Sequence, residues 1–127
     1  MRLRMRPAVL AAGLVLAGMT THAWMNERML AQAQRMGPPA AARAQVLAQE
    51  IVEAQGLDEI ARLKGVNAFF NRAIVFREDK DVWGQVDYWA SPLEMMNRGQ
   101  GDCEDFATAK YFALMAAGVP SAKLRLV

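Results

Sequence analysis

The chain has 127 residues, enough for one domain at most, and 54% of them are hydrophobic, which is high for a soluble protein. Its Lys and Arg residues number 15 against 13 Asp and Glu, with no basic patch interleaved with aromatics, which excludes a nucleic-acid binder. A single cysteine excludes an internal disulfide.

The first residues carry Arg2, Arg4 and Arg6, Pro7 to Met19 is apolar and uncharged, and Thr21-His22-Ala23 offers small residues at the −3 and −1 positions of a cleavage site. This pattern predicts a secretory signal peptide over residues 1–23, with an uncleaved membrane anchor as the alternative. Those residues contain three arginines and no acid. Without them 12 basic and 13 acidic groups remain, a net charge of −1, so the whole-chain pI near 9.0 is a property of the leader. A lone thiol in an exported chain is reactive or pairs with another chain. Residues 24–40 are polar with scattered methionines and close on Gly37-Pro38-Pro39, which predicts a lead-in segment that adds little core.

The portion 41–127 holds the folding signals. Ala41 to Gln55 has helical spacing, with Ala44, Leu47, Ile51 and Ala54 on one face and Gly56 at its end. Leu57 to Asn71 predicts a second helix with Ile60, Leu63, Val66, Phe69 and Phe70 inward, weakened by Gly65. Ile74 to Phe76 is a short strand or extended run, and Arg77 to Asp81 a charged loop. The aromatics of Trp83 to Trp89 read as core lining. Ser91-Pro92-Leu93-Glu94 is a helix start: serine caps, proline takes the first helical position, and glutamate reaches back. That helix stops at Arg98-Gly99. A last helix, Phe106 to Ala117, is apolar on almost every face and calls for cover on all sides; Gly118 and Pro120 end it. Lys123 to Val127 alternates like the first half of a strand.

The chemistry concentrates in Gly99-Gln100-Gly101-Asp102-Cys103-Glu104-Asp105-Phe106. A glycine turn delivers the thiol to a helix start, where free amides and the helix dipole favour an anion. Asp102 is placed to cap that helix, and Asp105 to complete a box-like cap. The three carboxylates oppose the thiolate by like-charge repulsion. A cation held by Asp102, Glu104 or Asp105 cancels that field, and hard oxygen ligands suit calcium rather than zinc. In the plainer alternatives the acids only cap the helix and face water, and Cys103 is a small buried hydrophobe.

The runs Asp87-Tyr88-Trp89-Ala90-Ser91-Pro92-Leu93-Glu94, Gly101-Asp102-Cys103-Glu104-Asp105-Phe106-Ala107, Lys110-Tyr111-Phe112-Ala113-Leu114 and Gly118-Val119-Pro120 closely resemble the bacterial transglutaminase-like cysteine proteinases. Asn67, Asn71, Asp79 and Trp83 fit the same pattern, and the resemblance covers about residues 57–127. It implies an α+β papain/transglutaminase-like fold, of which these residues are mainly the helical N-terminal half, with the sheet after Val127. It also implies a periplasmic, calcium-dependent protease that releases a large surface adhesin, disperses biofilm, and is held back by an inner-membrane cyclic di-GMP receptor. On the resemblance Cys103 is the nucleophile, Asp102 and Glu104 are tied to calcium, Asp105 and Asp87 are further candidates for that ion, and Gln85 is a candidate oxyanion group. The family's histidine and aspartate belong on strands after the Cys103 helix, whereas the only histidine is His22. A truncated protease, a calcium- or partner-binding remnant without catalysis, and a transglutaminase-type acyl transferase are the expectations that follow. The incomplete layer predicts poor expression and exposed apolar surface.

Overall fold

The computed structural model describes residues 21–127. The expected leader therefore lies outside the described residues, except for Thr21 to Ala23. Helix α1 (Thr21–Met36) leads through Gly37 into α2 (Pro38–Gln55), and α3 (Glu59–Ala73) follows. Strand β1 (Val75–Phe76), the five-residue α4 (Asp79–Trp83), α5 (Pro92–Arg98), strand β2 (Gln100–Gly101) and α6 (Cys103–Ala116) complete the elements, with a 3₁₀ turn at Ser121–Lys123. Among the described residues, no helix is long and apolar enough to cross a membrane.

The core lies where α2 packs against α1, α3 and α5, with α6 closing it from the α3 side. Helix α2 buries Ala40, Ala44, Leu47, Ile51 and Ala54, the stripe its spacing predicts. Helix α3 starts at the Asp58 cap, whose Oδ1 accepts from Ala61 N at 2.9 Å, and runs straight across Gly65. Its inward face is Val66, Phe69 and Phe70, the two rings meeting edge-on at 5.0 Å. Ile60, expected inward, is 60% exposed in the first turn of α3, near the junction with α2. Arg62 fills that corner instead: Nε donates to Ala54 O and Leu57 O, and Nη2 to Gln55 O, so a cation caps the negative end of α2.

Three expectations are corrected. Residues 24–36 are not a bare lead-in: in α1, Met29, Leu30 and Ala33 share the face that packs on the core, and Ala33 is fully buried. Scattered methionines are an apolar face once the chain is wound at 3.6 residues per turn. Asp79 to Trp83 is helical rather than loop. Residues 124–127 are without strand pairing; the sheet of the described residues is the two-residue parallel pair β1–β2, with Val75 opposite Gln100 and Phe76 opposite Gly101. Helix α6 buries Ala109, Ala113 and Ala116 against its neighbours, and Phe112 stands 48% exposed.

Candidate functional site

The turn that carries the thiol is held from four sides. Helix α5 begins at Ser91 with the reciprocal cap expected of its sequence: Ser91 N donates to Glu94 Oε2 at 2.7 Å and Glu94 N to Ser91 Oγ at 3.3 Å. It ends at Gly99, left-handed at φ 70°, whose N–H reaches Met95 O at 2.7 Å. Arg43 of α2 donates to Met96 O at 2.7 Å, and its guanidinium lies so close over Gly99 that an added Cβ would stand 2.5 Å from Nη2. The chain then enters β2, where Val75 N donates to Gly99 O and Arg77 N to Gly101 O. At Gly101 a Cβ would meet Met95 Cγ at 2.8 Å and Asp105 Cβ at 3.0 Å. Any larger residue there displaces the turn or the Asp105 side chain.

Cys103 follows at the first position of α6 and is exposed. Asp102 is the N-cap, and Asp105 Oδ2 accepts from Asp102 N at 3.3 Å. Asp105 Oδ1 accepts from Ala90 N at 3.0 Å, so one buried carboxylate ties the segment before α5 to the thiol turn. Trp89, immediately before that anchor, is 69% exposed. On the α3 side, Lys110 Nζ donates to Asn67 Oδ1 at 2.7 Å and Asn71 Oδ1 at 3.0 Å, and it stands 5.2 Å from the Phe106 ring centre. Burial lowers the Lys110 pKa. This clasp fixes where α6 starts relative to α3.

Beside Cys103 three carboxylates converge. One oxygen each from Asp79, Asp102 and Glu104 lies within 4.8 Å of the others. Asp79 and Asp102 are buried, and each has a side-chain oxygen, Oδ1, with no hydrogen-bond partner. The other Asp79 oxygen accepts from Tyr88 N. Burial first, then the Glu104 hydrogen bond and the charges of Asp105 and Asp79, push the Asp102 carboxyl up to about 7. Asp105 is also raised, by burial, against the pull of its two backbone N–H bonds.

Buried carboxylate oxygens without donors are costly, and a hard cation is the group that satisfies them. Calcium takes oxygen ligands at about 2.3–2.6 Å, so two ligands of one ion lie at most about 4.6–5.2 Å apart. The cluster fits inside that limit, and its all-oxygen donors match calcium chemistry.

Of the residues the sequence singled out, the fold brings Asp102 and Glu104 together next to Cys103. Asp105 is beside them with both oxygens bonded to backbone amides, and is a positioning group. Asp87 and Gln85 are exposed, and Asp87 lies outside the converging set. The residue not assigned to the ion beforehand is Asp79. It lies 23 positions before Asp102, three residues after the β1 strand that pairs with β2. Its one sequence signal is its place in the family pattern. The single histidine, His22, opens α1, and its side chain lies outside the described residues. Among the described residues no imidazole stands beside Cys103.

The family described as bacterial transglutaminase-like cysteine proteinase (BTLCP) matches residues 40–127. No curated protein matches the chain. Solved structures do, among them three of LapG from Legionella pneumophila at 36% identity over 77% of this chain. The first gives a TM-score of 0.66 with 54% of the LapG chain covered, the EGTA-treated form 0.66 with 52%, and the calcium-bound form 0.65 with 54%. The present chain thus spans about half the length of these structures.

Proposed function

Since the chain belongs to the bacterial transglutaminase-like cysteine proteinases, we propose that it acts in a calcium-dependent cysteine peptidase with Cys103 as nucleophile. One observation carries this: an exposed thiol at a helix N-terminus sits directly beside buried, unpartnered carboxylate oxygens of Asp79 and Asp102. The likeness to LapG in calcium-bound and EGTA-treated forms supports the choice of ion. Asp79, Asp102 and Glu104 are its ligands in this reading, and Asp105 holds the turn that presents them. Bound there, calcium supplies positive charge that offsets the carboxylates' field. The family resemblance adds the rest of the proposal: a large surface adhesin as substrate, export to the periplasm through residues 1–23, and restraint by an inner-membrane cyclic di-GMP receptor.

The chemistry of this chain's own residues is the first half of a peptidase cycle. Cys103 Sγ attacks the scissile carbonyl, and the first N–H groups of α6, unpaired as at any helix start, face the developing negative charge. A base must take the thiol proton and return it to the leaving amine. The second reading is a calcium- or partner-binding protein without catalysis, in which the same acidic cluster serves binding alone.

The deciding experiment replaces Cys103 with Ala at the native locus and measures adhesin released into the medium. The peptidase reading expects release to stop. Unchanged release overturns it. The isolated 127-residue chain is expected to bind calcium, to be alkylated by iodoacetamide at Cys103, and to show no thiol-dependent cleavage of an adhesin fragment.

A further inference from the structure

The segment 87–90 is pinned to the thiol turn along one edge. Tyr88 N donates to Asp79, a member of the carboxylate cluster, and Ala90 N donates to Asp105 Oδ1 at 3.0 Å. The other oxygen of Asp105 accepts from Asp102 N at 3.3 Å, so the residue after Trp89 and the residue before Cys103 hang on one carboxylate. Tyr88 is fixed through its side chain as well, its hydroxyl on Glu94 at 2.7 Å and its ring 4.4 Å from that of Trp83. Inward amides at 88 and 90 follow the two-residue period of an extended chain. Burial repeats that period: Asp87 and Trp89 are exposed, Tyr88 is half-buried and Ala90 is buried. In such a chain the N–H and C=O of Trp89 point to the opposite edge from those of its neighbours. Neither group bonds to any described residue, and Trp89 as a whole is 69% exposed.

We propose that Trp89 is a specificity-determining residue: the polypeptide attacked by Cys103 lies along it in extended form, its backbone paired with the Trp89 N–H and C=O and an apolar side chain on the indole. The inference rests on the peptidase reading of Cys103. Three features select this occupant. A free donor and acceptor on an extended edge are completed by another extended chain. A large aromatic on a fixed backbone contributes contact area at little entropic cost, which is why tryptophan recurs at the centres of interfaces. The third feature is place. Through Asp105, the edge is tied to the start of α6, where Cys103 is exposed. Because the inner edge of the segment is already bonded to the site carboxylates, a chain that pairs with the outer edge meets a preformed surface.

The test places Trp89→Ala and Trp89→Phe beside Cys103→Ala at the native locus and measures the rate of adhesin release. Trp89→Ala is expected to slow release about tenfold or more, and Trp89→Phe, which keeps an aromatic face, to restore it to within about threefold of the unaltered rate. In the purified 127-residue chain, calcium affinity and the rate of Cys103 alkylation by iodoacetamide, a reagent too small to use the indole, are expected to stay within about twofold in both variants. A Trp89→Ala variant that lowers release, calcium affinity and alkylation together marks a structural residue and overturns the proposal. Release at the unaltered rate in Trp89→Ala, where Cys103→Ala stops it, overturns the proposal and leaves the peptidase reading standing. Unchanged release in Cys103→Ala overturns that reading and this inference with it.

Discussion

Helices α5 and α6 open with the same device and use it to opposite ends. In α5 the box is Ser91 with Glu94, at the surface, and each arm has its donor. Hydrogen bonds from Tyr88 OH, at 2.7 Å, and from Ser91 N hold the Glu94 carboxyl below its usual value. That cap is satisfied and stabilising. In α6 the cap is Asp102 with Asp105, both buried, beside Asp79 and Glu104. Asp105 has two backbone donors, but Asp102 Oδ1 has none, and its carboxyl is pushed up instead of down. The same geometry thus serves stability where it meets water and creates a demand for positive charge where it meets other carboxylates. A protein tolerates that second arrangement where a ligand repays it.

The largest break in this contrast is expected at Asp105. Asp105→Ala removes the acceptor of two buried N–H groups, those of Ala90 and Asp102, at about 1–3 kcal/mol each. The chain should lose about 2–6 kcal/mol, read as a lower denaturant midpoint, and calcium binding should fall with it because the ligand turn is no longer tied down.

The next effect is electrostatic and depends on pH. Burial and the neighbouring carboxylates push the folded Asp102 carboxyl up to about 7 from an ordinary 3.8, so between those values the folded state holds a proton that the unfolded chain has lost. Stability without metal is therefore fully present below about 3.8 and falls as pH rises toward 7, by at most about 4 kcal/mol at roughly 1.4 kcal/mol per unit. Denaturant melts at pH 5 and pH 8 in chelator should show the loss. Asp102→Asn should remove most of it, and saturating calcium should reverse its sign. Identical midpoints at the two pH values in chelator count against a buried, uncompensated cluster.

The smallest effect is at the satisfied cap. Ser91→Ala should cost about 1 kcal/mol, within about 0.5–2, and leave calcium affinity unchanged. A loss of calcium binding in this variant, measured by titration calorimetry, erases the distinction between the two caps.

The parts legible from the residues alone were those whose physics is local. The Ser91 cap, the α2 stripe and the Gly99 stop each rest on neighbours three or four positions apart. Asp102 and Glu104 flank Cys103 in the chain, so their meeting at the site also needed no tertiary argument. Helix α1 was missed because its apolar face is made of methionine, leucine and alanine among Gln and Arg, a weak stripe that becomes a face only with α2 beneath it. Ile60 shares the periodicity of the inward face yet stands 60% exposed, because periodicity assigns a face without saying whether a neighbour covers each turn of it.

Composition and order by themselves determined that a lone thiol follows a glycine turn at a helix start, flanked by acids. Covalent neighbours and the dipole of the following helix require nothing else. Only the folded chain decided which acids act together. The parallel pairing of Val75 with Gln100 carries Asp79 across 23 positions to Asp102, while the amides of Ala90 and Asp102 draw Asp105 out of the cluster. Burial, which belongs to no residue alone, then leaves oxygens of Asp79 and Asp102 without partners where they converge with Glu104.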